Sequence, residues 1–136
     1  MNKSKYGIFA AGLFLSAFLF HSMFMEEIQI IEEKFLDGSP KRISVYEKLF
    51  GYQNKIRELE FWKTGKLRYD KQFDNNLPNG LQIFYTEFGG KITQNIKDGR
   101  RHGIYTERDP TGVIIKQEHW ENGRNVKILI PIQKNQ

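Results

Sequence analysis

Cysteine is missing from this chain of 136 residues. Without a thiol, the chain cannot form a disulfide, use a cysteine nucleophile, bind a metal through thiolates or carry a lipobox lipid anchor. Histidine occurs three times, and only His102 and His119 lie outside an apolar N-terminal run. Two scattered imidazoles do not make the ligand set of a zinc site. We therefore expect no metal and no cofactor.

Catalytic motifs are missing as well. The chain contains no HExxH, no Gly-x-Ser-x-Gly, no Walker-type loop and no GxGxxG between a strand and a helix. Its acidic pairs, Glu58/Glu60 and Glu118/Glu121, lie on predicted strands among basic residues, and we interpret them as solvated faces. The prediction is therefore a protein that is not an enzyme and has no catalytic residue.

Basic residues outnumber acidic residues by 21 to 16. Residues 34–136 contain 19 Lys and Arg against 12 Asp and Glu, a net charge of +7. The acidic residues are interleaved with the basic ones and the stretch is predicted to be exported, so we expect no nucleic-acid partner. A basic domain held beside a bilayer could contact anionic lipid headgroups. The alternative is a mixed-charge surface that keeps the domain from aggregating.

One long hydrophobic run occurs, YGIFAAGLFLSAFLFHSMFM, from Tyr6 to Met25. As a helix it would be about 30 Å long, which matches the hydrocarbon core of a bilayer. Lys3 and Lys5 precede the run, which favours export of the rest of the chain to the periplasmic or extracellular side. Cleavage as a signal peptide would make the protein secreted, but suitably placed small residues are lacking, so we favour an uncleaved signal anchor.

The rest of the chain repeats one pattern of turns. Three glycines open the copies at intervals of 24 and 23 residues: Gly65, Gly89 and Gly112. Second turns follow them at intervals of 23 and 24 residues: Asn75-Asn76, Asp98-Gly99 and Asn122-Gly123. Two further glycines, 23 residues apart, lie between copies: Gly80 and Gly103. Asn, Asp and Gly tolerate the positive φ of tight hairpin turns, so each copy is predicted to be a β-hairpin.

Apolar residues occupy matched positions after the opening glycines. One set is Leu67, Ile92 and Ile114, and the other is Phe73, Ile96 and Trp120. Because a lone hairpin is marginal in water, we expect the hairpins to stack over a shared apolar face. The predicted fold is all-β, with repeated hairpins in one elongated single-sheet meander, preceded by an N-terminal hydrophobic helix.

Three stretches of the chain resemble MORN repeats, in particular the variant copies of many bacterial proteins. They are FWKTGKLRYDKQFDNN, NGLQIFYTEFGGKITQNIKDGRRHG and NGRNV, within residues 55–126. Copy one departs from the family pattern at Ile56, where a glycine is usual, and copy three has Thr106 and Arg108 where aromatic residues are common. The resemblance implies a sheet with an open aromatic groove, contact with other proteins and, in some relatives, membrane association. Bacterial relatives often carry an antitoxin label.

The predicted organisation has three parts. Residues 1–25 are the signal anchor or signal peptide, residues 26–54 an irregular first unit or stalk, and residues 55–136 the MORN-like domain. Within the first unit, Phe35–Gly38 is interpreted as a closing turn. Residues 43–50 fit a strand or a short helix, with the strand favoured. The end of the chain, Arg124 to Ile132, is predicted to be a last strand with Pro131 near its end, where it blunts the edge, followed by a polar tail.

The predicted function is a non-enzymatic protein-interaction or scaffold module, membrane-tethered or exported. The alternative is a neutralising partner, an antitoxin or immunity protein, of a toxin. Self-association through the sheet edges is a further expectation. The predicted structural turn residues are Gly65, Asn76, Gly80, Gly89, Gly99, Gly103, Gly112 and Gly123. Most aromatic residues are interpreted as repeat core, and the candidates for partner binding are Trp62, Tyr69, Tyr85, Tyr105 and Trp120.

Overall fold

The computed structural model describes residues 25–130, and all regular structure in this range is β. The strands are β1 (Glu26–Lys34), β2 (Pro40–Leu49), β3 (Tyr52–Phe61), β4 (Leu67–Asp74), β5 (Leu77–Tyr85), β6 (Lys91–Lys97), β7 (Arg100–Arg101), β8 (Gly103–Arg108), β9 (Ile114–Glu121) and β10 (Arg124–Ile130). The prediction of an all-β fold is confirmed. The strand interpretation of residues 43–50 is confirmed over Ile43–Leu49, and residues 28–34 lie in the first strand.

Two predicted features lie outside the described residues: the N-terminal hydrophobic helix, predicted over residues 6–25 with only residue 25 described, and Pro131 with the polar tail. Within the described range, no helix is long and apolar enough to cross a membrane.

The ten strands form one open antiparallel sheet. The spatial order is β1-β2-β3-β4-β5-β6-β8-β9-β10, so the chain is a meander in which each strand pairs with its neighbour in sequence. The short β7 pairs with the end of β6, and β8 pairs with the beginning of β6, so β7 and β8 are one strand interrupted at His102. With about 4.8 Å between strands, the sheet extends about 38 Å from β1 to β10.

Four copies of one turn line one edge of the sheet, which we call the opening edge. In residues 62–66, the Trp62 N–H donates to the Lys66 carbonyl at 2.8 Å, and the Gly65 N–H donates to the Trp62 carbonyl at 2.9 Å. The same two backbone hydrogen bonds recur in residues 35–39, 86–90 and 109–113. The glycine in each copy has a positive φ, +79° at Gly65, a conformation that L side chains rarely adopt.

The interpretation of Phe35–Gly38 as a closing turn is wrong. Its Phe35 N–H donates to the Ser39 carbonyl and its Gly38 N–H donates to the Phe35 carbonyl, both at 2.9 Å, which is the opening-turn pattern. Residues 35–51 are therefore a fourth copy, and its closing turn is Phe50-Gly51. The sequence hides this turn because phenylalanine is seldom found at positive φ.

The opposite edge, which we call the closing edge, carries four two-residue turns. Both central residues have positive φ in every copy: Phe50 (48°) and Gly51 (85°), Asn75 (48°) and Asn76 (62°), Asp98 (50°) and Gly99 (73°), Asn122 (48°) and Gly123 (82°). This is the type I′ geometry that matches the twist of a hairpin. Positive φ is found at all eight predicted turn residues: Gly65, Asn76, Gly80, Gly89, Gly99, Gly103, Gly112 and Gly123.

Gly80 marks the place where one copy joins the next. The β4–β5 ladder shifts register here, and a Cβ on Gly80 would lie 2.5 Å from Gln72 Oε1. That oxygen accepts the Leu81 N–H at 2.8 Å, so a side chain at residue 80 would displace Gln72 from this hydrogen bond. Ile56 in β3 occupies the position equivalent to Gly80. The β2–β3 ladder shifts register beside it as well, but Ile56 does not have a positive φ.

Each of the last three closing turns is bonded to the copy before it. The Gly99 N–H donates to the Pro78 carbonyl at 3.1 Å, and the Gly123 N–H donates to the Arg101 carbonyl at 2.8 Å. At the Asn75-Asn76 turn, a side chain makes the corresponding link to the preceding copy: Asn76 Oδ1 accepts the Lys55 N–H at 2.7 Å. Neighbouring hairpins are thus joined at the turns as well as along the strands.

The sheet has no thick hydrophobic core in the described range. Val45, 3% exposed, is the one buried hydrophobic side chain there, whereas Glu58, Gln94, Thr106 and Glu118 are buried although they are polar. The interpretation of the acidic pairs as solvated faces is therefore wrong for Glu58 and Glu118, which are 8% and 6% exposed. Because no second layer formed by the described residues covers the sheet, side chains bury one another along cross-strand rows. The expected shared apolar face is therefore a mixed one, in which aliphatic parts of long polar side chains do much of the covering.

Candidate binding groove

Strand register brings the repeated aromatic and charged residues to one face. Cross-strand partners share a face, so Tyr69 in β4 lies beside Phe84 in β5, and Phe84 lies beside Ile92 in β6. The neighbouring row on the same face runs through Ser44, Glu58, Lys71, Gln82 and Gln94. We call this side of the sheet the aromatic face.

A groove of about 470 Å³ crosses the aromatic face from β4 to β8. Tyr69 and Phe84 form one wall, with ring centroids 4.7 Å apart and planes inclined by 41°. The groove is lined by Tyr69, Lys71, Pro78, Gln82, Ile83, Phe84, Ile92, Gln94, Ile96, Arg101 and Tyr105. Its surface is therefore mainly apolar, with a few polar groups placed among the apolar side chains, as is usual for a binding site.

The structure brings four of the five aromatic candidates to the aromatic face. Tyr69 and Tyr105 line the groove, and Trp62 packs edge-on against Phe84 with centroids 6.4 Å apart. The Arg101 guanidinium lies over the rings of both Tyr105 and Trp120, which places Trp120 near Tyr105 on the same face.

Tyr85 lies apart from the other four candidates. It follows Phe84 directly in a regular strand, so its side chain projects from the opposite face. There its ring is contacted by Lys91, whose Nζ is 5.6 Å from the ring centroid. Tyr85 therefore does not contribute its side chain to the groove.

Two arginines on this part of the sheet are each stacked on two aromatic rings. The Arg101 guanidinium carbon is 4.7 Å from the Trp120 centroid and 5.9 Å from the Tyr105 centroid. Arg68 makes the same arrangement with Trp62 at 4.6 Å and Tyr69 at 5.4 Å. Among the described residues, no carboxylate lies within 4 Å of either guanidinium. Each guanidinium is therefore positioned by aromatic rings, and its N–H groups can donate hydrogen bonds to a bound partner.

Lys71, in contrast, is already paired. Its Nζ lies 3.1 Å from Glu58 Oε1 and 2.6 Å from Glu60 Oε1. Burial lowers the pKa of Lys71, but the two carboxylates outweigh burial and raise that pKa above its usual value. Burial raises the pKa of Glu58, yet hydrogen bonds from Lys55 and Lys71 leave it below its usual value. Lys71, which lines the groove, and its partner Glu58 thus stay ionised at neutral pH.

Gln94 offers the groove an unused acceptor. This residue is only 7% exposed, its Nε2 donates to the Asn95 carbonyl at 2.9 Å, and its Oε1 is buried with no hydrogen-bond partner in the described part of the chain. A buried acceptor without a partner costs stability, so such atoms are uncommon unless a ligand completes them. Burial beside Glu107 raises the pKa of Tyr105 to about 12, so its hydroxyl keeps its proton.

Sequence reasoning missed three of these groups: Arg68, Gln94 and Arg101. In the sequence, Arg101 is distinguished only as half of an adjacent basic pair, Arg100-Arg101. A search for arginines at repeat positions beside aromatic residues would have found Arg101, but Gln94 carries no signal of its own. Its place in the lining of the groove depends on the pairing register between β5 and β6.

Comparison of the chain with models of known protein families, with curated proteins and with solved structures gives no match. The resemblance to MORN repeats thus rests on the motifs in the sequence. Among the described residues there is no group of three or more His, Asp and Glu side chains that could hold a metal ion.

Proposed function

We propose that the chain is a non-enzymatic, membrane-tethered interaction module of the MORN-like type, with the sheet on the exported side. Its aromatic face binds a segment of a partner protein. The observation that carries this proposal is the groove between Tyr69 and Tyr105, which ends at Arg101, an arginine that no carboxylate of residues 25–130 contacts.

The chemistry of the groove indicates what the partner segment carries. Arg101 presents a fork of N–H donors that fits a carboxylate, and its stacking on Trp120 fixes the direction of that fork. Gln94 Oε1 accepts an N–H, and the rings of Tyr69 and Phe84 cover apolar side chains. An extended segment that alternates apolar and acidic residues meets all three requirements. Tyrosine, tryptophan and arginine are also the residues that contribute most to protein interfaces.

Adjacent residues in β8 provide a matched test of which face binds. Tyr105 lines the groove on the aromatic face, and Ile104, 41% exposed, precedes it and points to the opposite face. A photo-reactive amino acid placed at 105 should give one specific cross-linked protein in cells that make the full chain. The same amino acid at 104 should not. Arg101→Glu should abolish the adduct at 105, because it places a carboxylate where the partner's carboxylate binds.

Equal adducts from positions 104 and 105, or none from 105, would contradict the proposal. The identity of the cross-linked protein then separates two uses of the same face. If the partner is toxic when made alone and harmless when this chain is present, the chain is an antitoxin or immunity protein. If the partner is not toxic, the scaffold role stands.

A further inference from the structure

A bulge in β4 brings Arg68 to the aromatic face. The pairing of β4 with β3 passes directly from Leu67 to Tyr69, so Arg68 is an extra residue with no opposite residue in β3. A bulge of this kind re-aims a side chain. The Arg68 guanidinium accordingly lies over the rings of Trp62 and Tyr69, which both belong to that face.

Arg68 is thus positioned in the same way as Arg101, and neither cation is neutralised by a neighbour. No carboxylate of the described strands and turns lies within 4 Å of either guanidinium. The Nε of Arg68 is also buried with no hydrogen-bond partner among residues 25–130. An unpaired buried donor costs stability, and an acceptor on a bound segment would remove that cost.

The lysines nearest the groove are paired, in contrast to the two arginines. Lys71 contacts two carboxylates, and Lys116 Nζ lies 3.0 Å from the carboxylate of Glu118. These pairs leave little net charge on the part of the face that they occupy. An anionic partner of the groove is therefore attracted mainly to Arg68 and Arg101.

The two arginines lie at opposite ends of a diagonal across the groove. Three strand spacings separate β4 from β7, which is about 14 Å. Arg68 adjoins Tyr69, which is level with Ile92 in β6 through the intervening strand. Arg101 pairs with Ile96, four residues farther along β6, or about 13 Å. The diagonal between the two arginines is therefore about 20 Å long.

Two residues that line the groove lie along this diagonal. Phe84 in β5 is nearer to Arg68, and Gln94 in β6 is nearer to Arg101. Phe84 offers an apolar ring, and Gln94 offers the buried Oε1 that has no partner in the described part of the chain. A segment that follows the diagonal therefore meets a cation, an apolar ring, an acceptor and a second cation, in that order.

We propose that the aromatic face binds an extended segment with two acidic residues about six positions apart, one on Arg68 and the other on Arg101. This inference rests on the proposed function and specifies how the acidic residues of the partner segment are spaced. An extended chain rises about 3.3 Å per residue, so six positions span about 20 Å. A stacked guanidinium presents its two parallel N–H donors to a carboxylate in a fixed direction.

The alternation of side chains in an extended segment completes the description of the partner. Residues separated by an even number of positions point to the same side. Both acidic residues therefore face the sheet, together with the second and fourth residues after the first of them. These two are apolar, because they lie over Phe84 and the groove, and the residues between them face away from the sheet.

Two synthetic peptides of identical composition test the spacing. The first, Glu-Ser-Leu-Ser-Leu-Ser-Glu, has its glutamates six positions apart, and the second, Leu-Ser-Glu-Ser-Glu-Ser-Leu, has them two positions apart. Each carries a fluorophore at the N-terminus and an amide at the C-terminus. Fluorescence anisotropy measures their binding to the full chain in phosphatidylcholine nanodiscs at low ionic strength. We expect the first peptide to bind about tenfold more tightly, because it alone reaches both arginines.

Substitutions assign this preference to the two arginines. Arg68→Gln and Arg101→Gln should each remove it, whereas Arg68→Lys should keep part of it, because the charge remains and the fork of donors is lost. Arg100→Gln is the matched control, since it makes the same change of charge beside Arg101 but on the opposite face. It should leave the preference intact. Circular dichroism checks that each variant is folded.

Equal binding of the two peptides to the wild-type chain, binding of neither, or an unchanged preference in Arg68→Gln would overturn the inference. The cross-link at residue 105 separates this failure from failure of the proposed function. A specific adduct at 105 without a preference between the peptides would overturn only the spacing. Absence of the adduct together with absence of peptide binding would overturn both.

Discussion

Different residues adopt the same backbone conformation at the first position of the closing turns. The first residue of each closing turn has a φ between 48° and 50°, whether it is Phe50, Asn75, Asp98 or Asn122. The side chains of asparagine and aspartate tolerate this conformation, whereas phenylalanine is strained in it. The four turns therefore share a shape but differ in how much stability each one contributes.

Phe50→Asn should raise the free energy of unfolding by about 1 kcal/mol, because it removes strain from a type I′ turn. The reciprocal change, Asn122→Phe, should lower it by a similar amount, because it introduces the same strain at a φ of 48°. Urea denaturation of the full chain in mild detergent, followed by circular dichroism, measures both. Destabilisation by Phe50→Asn would mean that the phenylalanine makes contacts worth more than the strain.

At the scale of the strand, β3 shows how a single-layer sheet buries charge. Glu58 is 8% exposed and lies between Lys55 and Lys71, and both ammonium groups contact its carboxylate. The aliphatic stems of these lysines cover the sheet while their charges neutralise the carboxylate. Glu118 in β9 repeats the arrangement with Lys116, whose Nζ is 3.0 Å from its carboxylate, and Trp120 also donates to it. A buried carboxylate therefore recurs in the sheet in place of an apolar core residue.

Glu58 should make folding stability depend on pH in the acid range. Its pKa in the folded chain is below the ordinary 4.5, so its contribution is present above about pH 4.5 and lost as pH falls through the folded pKa. Glu58→Gln should cost about 1–2 kcal/mol at pH 7 and much less at pH 3. Urea denaturation at both pH values measures the difference. Glu87→Gln, at an exposed opening-turn residue, is the control, and equal losses for Glu58→Gln at both pH values would contradict the prediction.

At the scale of the whole molecule, the sheet behaves as a linear array. Every strand pairs with neighbours in sequence, and the closing turns bond only to the adjacent copy in the described part of the chain. In such arrays, stability is approximately the sum of terms for each repeat and for each interface between repeats. The edge strands β1 and β10 are each irregular, with register shifts in both pairings, which disfavours continuous pairing with other chains. Self-association through these edges stays a prediction.

Removal of the last hairpin tests this description. A chain that ends at Arg108 loses β9 and β10 and should still fold as a β-sheet, with a Tm lower by about 10 °C. A chain that ends at Gly123 loses only β10 and should show a smaller decrease. Thermal melting by circular dichroism measures both. If the shorter chain is unfolded while the longer one is fully stable, the sheet is a single cooperative unit and the array description fails.

The sequence by itself determined the class of fold, the three later hairpins and the positions of their turns. It could do so because asparagine, aspartate and glycine report positive φ through local sterics alone. Only the tertiary structure revealed the fourth copy, in which Phe50 adopts the same turn under the influence of the surrounding strands. The groove could not be predicted from the sequence either. The surroundings of Gln94 and Arg101 are set by strand register and bulges, which depend on pairing between strands. The prediction for Tyr85 failed for the same reason, because a shift of one position along a strand moves a side chain to the opposite face of the sheet.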